Sequence, residues 1–311
     1  MDLKFNDITL ESKELIESYT KPFNCPNAEI SFAHIYIWSS NSQIQFAEYE
    51  NSLFFKLDFP GEVPFLWAPI PGKACIDYKK ILDIAFDYLI SIGVKPYLRA
   101  VSDPFYTMIK DVYPSLLFKE SINNFDYIYL SEDLITLKGK KFHGKRNHIN
   151  RFMMLYPDFE YAPLTNEMAK DCCGLYKEWL KSHNEDSIIQ YDEPDSVKRA
   201  LTNLDALNLT GGVLKIDGKI KAFTIGERIL PDMHQIHIEK AANDIDGLYP
   251  VINREYASHN CSDVKYINRE EDMGLEGLRA AKHSYRPVMM IKKYNICCCE
   301  KCPDKDICKQ I

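Results

Sequence analysis

Three stretches hold residues whose types and spacing could do chemistry. "YINREEDMG" (266–274) sets Asn268, Arg269, Glu270, Glu271 and Asp272 where a predicted strand runs into a helix. In open α/β sheets that end of a strand is where ligands bind. A helix N-terminus there offers free backbone N–H groups to an anion. Arg269 could clamp a carboxylate or phosphate through two parallel hydrogen bonds. Asp272 reads equally well as the helix N-cap. Arg279 and Lys282 fall on the helix that follows, and Lys282 near its end also suits the helix dipole. The second stretch is "IHIEKA" (236–241), where Glu239 interrupts an apolar strand and faces away from Lys240. Glu239 or Glu270 could accept a proton or hold an ammonium, and Arg269 could face an oxyanion.

The third stretch is "KGKKFHGKRNHINRF" (138–152), six Lys or Arg in a chain of net charge −7. No Asp or Glu occurs between Leu134 and Pro157. An acidic chain is not coated all over for nucleic acid, but a local basic patch remains open to it. Read as a helix over 138–155, the stretch puts Phe142, Ile149, Phe152 and Met153 on one narrow stripe. Lys138, Lys141, Lys145 and His148 form the next stripe. Lys141, Lys145, Arg146, Asn147 and His148 then either meet phosphates or another anion, or pair with acids as a solvated helix.

Other chemistries find less support. No Ser–His–Asp or Cys–His pattern stands out, so a covalent intermediate is not favoured. His234 and His237, three apart in a strand, point to opposite faces and do not readily share a metal. Of ten cysteines, Cys25, Cys75, Cys172, Cys173 and Cys261 are scattered and read as buried thiols. The tail "CCCEKCPDKDIC" (297–308) is different. Cys299 and Cys302 have metal-knuckle spacing, and Cys308 with Cys297 or Cys298 could complete four thiolates for zinc or an iron–sulfur cluster. The alternative is an oxidisable tail, and no cofactor is required by the reaction considered below.

The elements that must position these residues form two blocks. In the first, 52–59 and 63–70 read as strands, 77–93 as a helix and 95–102 as a strand. A helix over 103–113, opened by Asp103 as N-cap with Pro104 behind it, leads to a strand at 125–130. In the second, helices at 165–184 and 193–208 precede a hairpin over 211–229 hinged on Asp217-Gly218. A strand (233–241), helix (247–260), strand (263–269), helix (274–285) and strand (287–296) follow. A meander followed by strand–helix–strand–helix–strand is the layout of a GNAT-type acyltransferase domain. The expected fold is α/β: two tandem GNAT-like domains, mixed sheets flanked by helices. The expected boundaries are 1–134, 135–296 and a Cys-rich tail, 297–311.

"YLSEDLITLKGKKFHGKRNHINRF" (129–152) together with "YINREEDMGLEGLRAAKHSYRPV" (266–288) resembles the soluble bacterial proteins related to the C-terminal domain of phosphatidylglycerol lysyltransferase. The resemblance covers most of the chain, including "EKA" at 239–241. It implies kinship with enzymes that move an aminoacyl group from aminoacyl-tRNA to a hydroxyl or amine acceptor. The implied partners are aminoacyl-tRNA and a small-molecule or peptide acceptor. Such transfer asks the protein for positioning, a proton acceptor and oxyanion stabilisation.

Two rivals stand beside this reading. An acyl-CoA-dependent N-acyltransferase wants a Gly-rich turn for the pyrophosphate. "ANDIDGLYPV" (241–250) offers only Gly247, with Asp244 and Asp246 repelling. "APIPGKACIDY" (68–78) has Gly72 and Lys73 but no second glycine. The other rival is a non-catalytic binding module with a decayed site. The acidic start "MDLKFNDITLESKELIESY" is unlike a signal peptide, and no apolar run approaches a membrane span of ~18 residues, so the expected compartment is the cytoplasm.

Overall fold

The computed structural model describes residues 3–40, 43–73, 77–181, 193–298 and 301. The chain divides into two compact units, residues 1–126 with 291–311, and residues 127–290.

The first unit contains β1 (Asn6–Asp7), α1 (Lys13–Phe23), α2 (Phe32–Trp38), β2 (Ile44–Tyr49), β3 (Ser52–Leu57), β4 (Phe65–Trp67) and β5 (Ile70–Pro71). It continues with α3 (Tyr78–Ser91), β6 (Tyr97–Ser102), α4 (Asp103–Ile109) and β7 (Leu116–Glu120). Helix α3 forms where the sequence predicts a helix, with Ile81, Ile84, Ala85 and Leu89 buried; Asp77 caps it, accepting from the Lys80 N–H at 3.0 Å. Helix α4 begins one residue earlier than expected. Ser102 precedes it in extended conformation and Asp103 is its first residue, so Asp103 is not the cap. Helices α1 and α2 were not expected. Ile16, Tyr19 and Thr20 of α1 are buried at helical spacing, whereas "FAHIYIW" of α2 has an aromatic, β-branched composition that suits a strand equally.

The second unit contains β8 (Asp126–Leu130), α5 (Ser131–Thr136), α6 (His143–Leu155), β9 (Glu160–Pro163), α7 (Ala169–Lys181), α8 (Glu193–Thr202) and α9 (Leu204–Leu207). Then come β10 (Thr210–Ile216), β11 (Lys219–Leu230), β12 (Met233–Ala241), α10 (Leu248–Asn260), β13 (Tyr266–Asn268), α11 (Glu276–Ser284) and β14 (Met289–Ile291). The sheet order is β14-β8-β13-β12-β11-β10-β9. Asp217 (φ 51°) and Gly218 (φ 71°) both take the left-handed conformation of the expected hairpin turn. The core gathers Tyr129, Phe142, Ile149, Phe152, Tyr256 and Ile267 among others.

The run 287–296, expected as one strand, is broken after Ile291. Its second part forms β15 (Lys293–Cys298), which pairs antiparallel with both β6 and β7. The first sheet therefore runs β1-β2-β3-β4-β6-β15-β7, with β5 also on β3. Lys293 gives the physical reason. It is fully buried, and its ammonium lies 2.6 Å from Glu29 and 2.7 Å from Asp126. A buried lysine is tolerated only where such partners exist. Tyr294, Ile296 and Cys298 join the first unit's core. The compact units thus part at 126/127 and 290/291, not at 134/135 and 296/297.

Candidate active site

Strands β12 and β13 run parallel over only three pairs, Met233↔Tyr266, His234↔Ile267 and Gln235↔Asn268. Beyond them β12 continues to Ala241, while the segment after β13 turns away through Glu270 in a left-handed conformation (φ 56°). On its other edge β12 has a bulge: Ile236 pairs with Gly226 and Ile238 with Ile225, leaving His237 unmatched. Bulges re-aim side chains, and here they fill the gap between the parting strands. Gln235 Nε2 donates to Glu270 Oε1 at 2.7 Å, and His237 Nδ1 lies 2.9 Å from the same oxygen. His237 Nε2 meets Glu227 Oε1 at 3.1 Å. Burial opposes charge on His237, but hydrogen bonds to Glu227 and Glu270 outweigh it and push its pKa up to about 9.

Further along the gap, Arg269 Nη2 donates to Glu239 Oε1 at 2.8 Å, with side chains only 13% and 9% exposed. Glu239 Oε2 also accepts from Asn253 Nδ2 at 3.2 Å and Thr224 Oγ1 at 3.4 Å. The guanidinium carbon lies 4.9 Å from the Tyr285 ring centre and 5.7 Å from that of Tyr129. Burial pushes both phenols up, so they stay neutral. Arg269 Nη1 is buried with no hydrogen-bond partner among the described residues, and so is Asn253 Oδ1.

Lys145 joins this group from α6. Its Nζ is 4.0 Å from the Tyr285 ring centre. Burial and the nearby Arg269 push its pKa down to about 8, against the pull of Glu239.

The turn after β13 is held from behind. Lys282 Nζ donates to the carbonyls of Arg269, Glu270 and Glu271 at 2.5, 3.0 and 2.5 Å. Asn268 Oδ1 accepts from the Glu270 N–H at 2.7 Å. Asp272 is not the helix cap, because α11 starts at Glu276 after Leu275. Instead Asp272 takes a bidentate pair from Arg279 (2.7 and 2.8 Å), the Tyr127 hydroxyl (2.5 Å) and the Gly274 N–H (2.8 Å). Burial would raise the Asp272 pKa, but Arg279 and Tyr127 hold it below the usual carboxylate range. Asn268, Asp272, Arg279 and Lys282 therefore build the turn that presents Arg269 and Glu270.

The basic stretch divides differently from the single helix over 138–155 that the sequence predicts. A single 3-10 turn (Lys140–Phe142) precedes α6, so Lys138 lies outside the helix. Phe142, Ile149 and Phe152 are buried, but Met153 is exposed. Lys141 pairs with Asp133 at 2.7 Å, Asn147 meets His143 at 3.2 Å, and His148 and Arg151 reach Asp246 at 3.2 and 3.4 Å. Arg146 donates to the carbonyls of Leu137 and Gly139. None of these partners belongs to the group around Arg269; of the stretch, Lys145 alone has a contact there. Tyr129 and Tyr285, which frame the site, were missed because aromatic residues at strand and helix spacing read as core.

At the start of α10, a Cβ on Gly247 would lie 2.6 Å from the His148 carbonyl oxygen and 3.1 Å from Phe152 Cβ. Gly247 (φ 83°) is thus needed for close packing of α6, and Asp246 beside it is paired to that helix. In the first unit, a Cβ on Gly72 would sit 2.6 Å from the Asn51 side chain, again a packing role. Of the tail ligands, Cys298 is buried in β15 with its sulfur 3.3 Å from the Tyr113 hydroxyl, and Cys297 is buried in the same strand. Cys299, Cys302 and Cys308 lie outside the described residues.

Two mixed sheets in tandem, the second splayed at a parallel pair, are the fold of tandem GNAT-like acyltransferases. The structure superposes on a tandem GNAT protein from the clavulanic acid biosynthesis pathway with a TM-score of 0.52 at 9% identity, covering 94% of this chain and 98% of that one. Residues 23–297 match the family described as phosphatidylglycerol lysyltransferase, C-terminal, and the chain belongs to that family. L-PGS from Bacillus licheniformis superposes with a TM-score of 0.66 at 14% identity, over 95% of this chain and 93% of that one. A conserved protein of unknown function from Bacteroides thetaiotaomicron is 38% identical, with a TM-score of 0.85 over 96% of this chain and 100% of its own. An uncharacterized protein of Mycoplasmoides gallisepticum is 26% identical over 193 residues, 60% of this chain; the match spans 59% of that relative's length. Family and fold point to an acyltransferase of the lysyl-phosphatidylglycerol synthase and GNAT-like type. Among the described residues, no helix is long and apolar enough to cross a membrane.

Proposed function

We propose that the protein transfers an aminoacyl group from aminoacyl-tRNA to the hydroxyl or amine of a small-molecule or peptide acceptor, at the gap between β12 and β13. The observation that carries this reading is Arg269. Its Nη2 is tied to Glu239, and its Nη1 is a buried donor with no partner among the described residues. Buried donors are nearly always satisfied, so an orphan here fits a ligand acceptor. A preorganised N–H in a dry site is what a developing oxyanion needs. Asn253 Oδ1, the matching orphan acceptor, suits an α-ammonium. Glu239 fixes the guanidinium, and Tyr129 and Tyr285 supply apolar faces.

The outer residues of the basic stretch suit an RNA donor. Lys138, Lys141, His148 and Arg151 have side chains 46–77% exposed, and the acids they meet, Glu132, Asp133 and Asp246, are 20–79% exposed. Such pairs contribute little, so exchanging an acid for a phosphate is easy. An acyl-CoA pyrophosphate fits less well. The start of α10, where it would lie, is packed against α6 and carries Asp246.

The test is to incubate the protein with tRNA charged with radiolabelled amino acids and a pool of metabolites and peptides, and separately with acetyl-CoA and the same pool. Acceptor-dependent movement of label is expected. Release of CoA thiol without movement of label would replace this reading with the acyl-CoA one; no turnover of either donor would favour the binding module.

A further inference from the structure

A transferase of this kind needs a proton acceptor for the attacking hydroxyl or amine. Among the described residues, Glu239, Glu270 and Glu227 bring carboxylates to the gap, and Glu227 Oε1 is held on His237 Nε2. Glu239 receives Arg269, Asn253 and Thr224, and Glu270 receives Gln235 and His237. Both carboxylates thus already accept from several donors, and the oxygens that would take an acceptor's proton are engaged.

Lys145 is placed otherwise. Among the described residues no carboxylate lies within ion-pair distance of its amine, which rests on the Tyr285 ring beside Arg269. The charged and titratable groups facing it come from three elements: Glu239 on β12, Arg269 after β13, and Tyr285 after α11. The only anion of the three is already bound to Arg269.

We propose that Lys145 is the proton-transfer residue of the site, taking the acceptor's proton as the new bond forms. This rests on the acyl-transfer reading above. In the forward step the acceptor's nitrogen or oxygen attacks the ester carbonyl carbon, and its proton passes to the neutral Lys145 Nζ. The carbonyl π pair moves to the oxygen, which faces Arg269 Nη1. Collapse of the tetrahedral intermediate breaks the ester C–O bond, and the ribose oxygen leaves with the proton from the Lys145 ammonium. One proton has moved from acceptor to ribose, and no other reactant is consumed.

The surroundings suit the task. With its pKa pushed down to about 8, Lys145 is neutral in about a tenth of molecules at pH 7, where an exposed lysine is almost wholly charged. A base near the working pH is the efficient one.

The test uses the full chain and charged tRNA in single turnover, across pH 6 to 10, for the wild type, Lys145→Arg and Lys145→Met. The wild-type rate is expected to rise with pH and level off above about 8. Both variants should lose about 100-fold or more, the magnitude of general-base catalysis, and lose that rise. Lys145→Arg keeps the positive charge, so charged-tRNA affinity should change less than about threefold. In parallel, the side-chain NMR signal of Lys145, assigned by its loss in Lys145→Arg, should titrate near 8. A variant that keeps its rate and its rise while the wild type transfers label overturns the proposal alone, as does a Lys145 signal titrating above 10. A wild type that moves no label overturns the acyl-transfer reading together with it.

Discussion

Lys145 and Arg269, 124 residues apart in the chain, share one aromatic ring: the Lys145 amine and the Arg269 guanidinium carbon lie 4.0 and 4.9 Å from the centre of Tyr285. Two cations meet there, and one carboxylate, Glu239, is paired with Arg269 and attracts Lys145. That arrangement joins the basic stretch to the turn after β13. It also sets up opposing contributions to stability and activity.

Lys145→Met should stabilise the protein while impairing transfer. The folded-state pKa of Lys145 is depressed, so protonation disfavours folding below about 8, and this disappears as pH rises toward 10.5. After discounting for solvent at a half-buried amine, the gain at pH 7 is on the order of 1 kcal/mol. Urea unfolding of both proteins at pH 7 and pH 10 checks it: the difference should shrink at the higher pH.

His237 should act with the opposite sign. Its folded-state pKa is raised from 6.5 to about 9. Its contribution is therefore fully present below pH 6.5 and lost as pH rises through about 9, with a size of roughly 3 kcal/mol. His237→Gln should remove that dependence. The unfolding free energy of the two proteins, compared from pH 6 to 9.5, should converge at the alkaline end.

Glu239→Gln should be among the more harmful changes to folding. It leaves the Arg269 charge buried without its partner, a loss of about 3 kcal/mol where pairs are this enclosed. Asp246→Asn breaks the pairs to His148 and Arg151, both exposed, and should change stability by less than about 1 kcal/mol. Thermal melts of the two variants side by side separate these outcomes.

Gly247→Ala tests how closely α6 lies on the start of α10. The left-handed backbone disfavours alanine by about 1 kcal/mol. The contact at 2.6 Å with the His148 carbonyl adds to that, for a total of about 2 kcal/mol or more. A loss below about 0.5 kcal/mol in urea unfolding would show that the helices have room to part.

Much of this was legible in the sequence, for reasons that differ by residue. The hairpin at Asp217-Gly218 and strand 233–241 were marked by turn chemistry and alternation, which are local. So was the tandem order of elements, which the family motifs reinforced. Lys293 was not legible: nothing nearby in sequence shows that its carboxylate partners are Glu29 and Asp126, so the last strand was given to the wrong sheet. The site was read in halves. Glu239 and Arg269 stood out as a lone carboxylate in an apolar strand and a cation at a strand end. Periodicity could not separate Lys145 from its neighbours in the basic stretch, because direction in space, not charge, distinguishes them. Nor could it show that Asp272, Arg279 and Lys282 are spent on holding the turn.

Arg269 offers the most direct measurement. Single-turnover movement of label from charged tRNA should be compared in the wild type and Arg269→Lys, which keeps a charge near Glu239 but loses the Nη1 N–H that has no partner among the described residues. The wild type should transfer label and the variant should lose about 100-fold or more, with charged-tRNA binding nearly unchanged. Equal rates in the two proteins would contradict this.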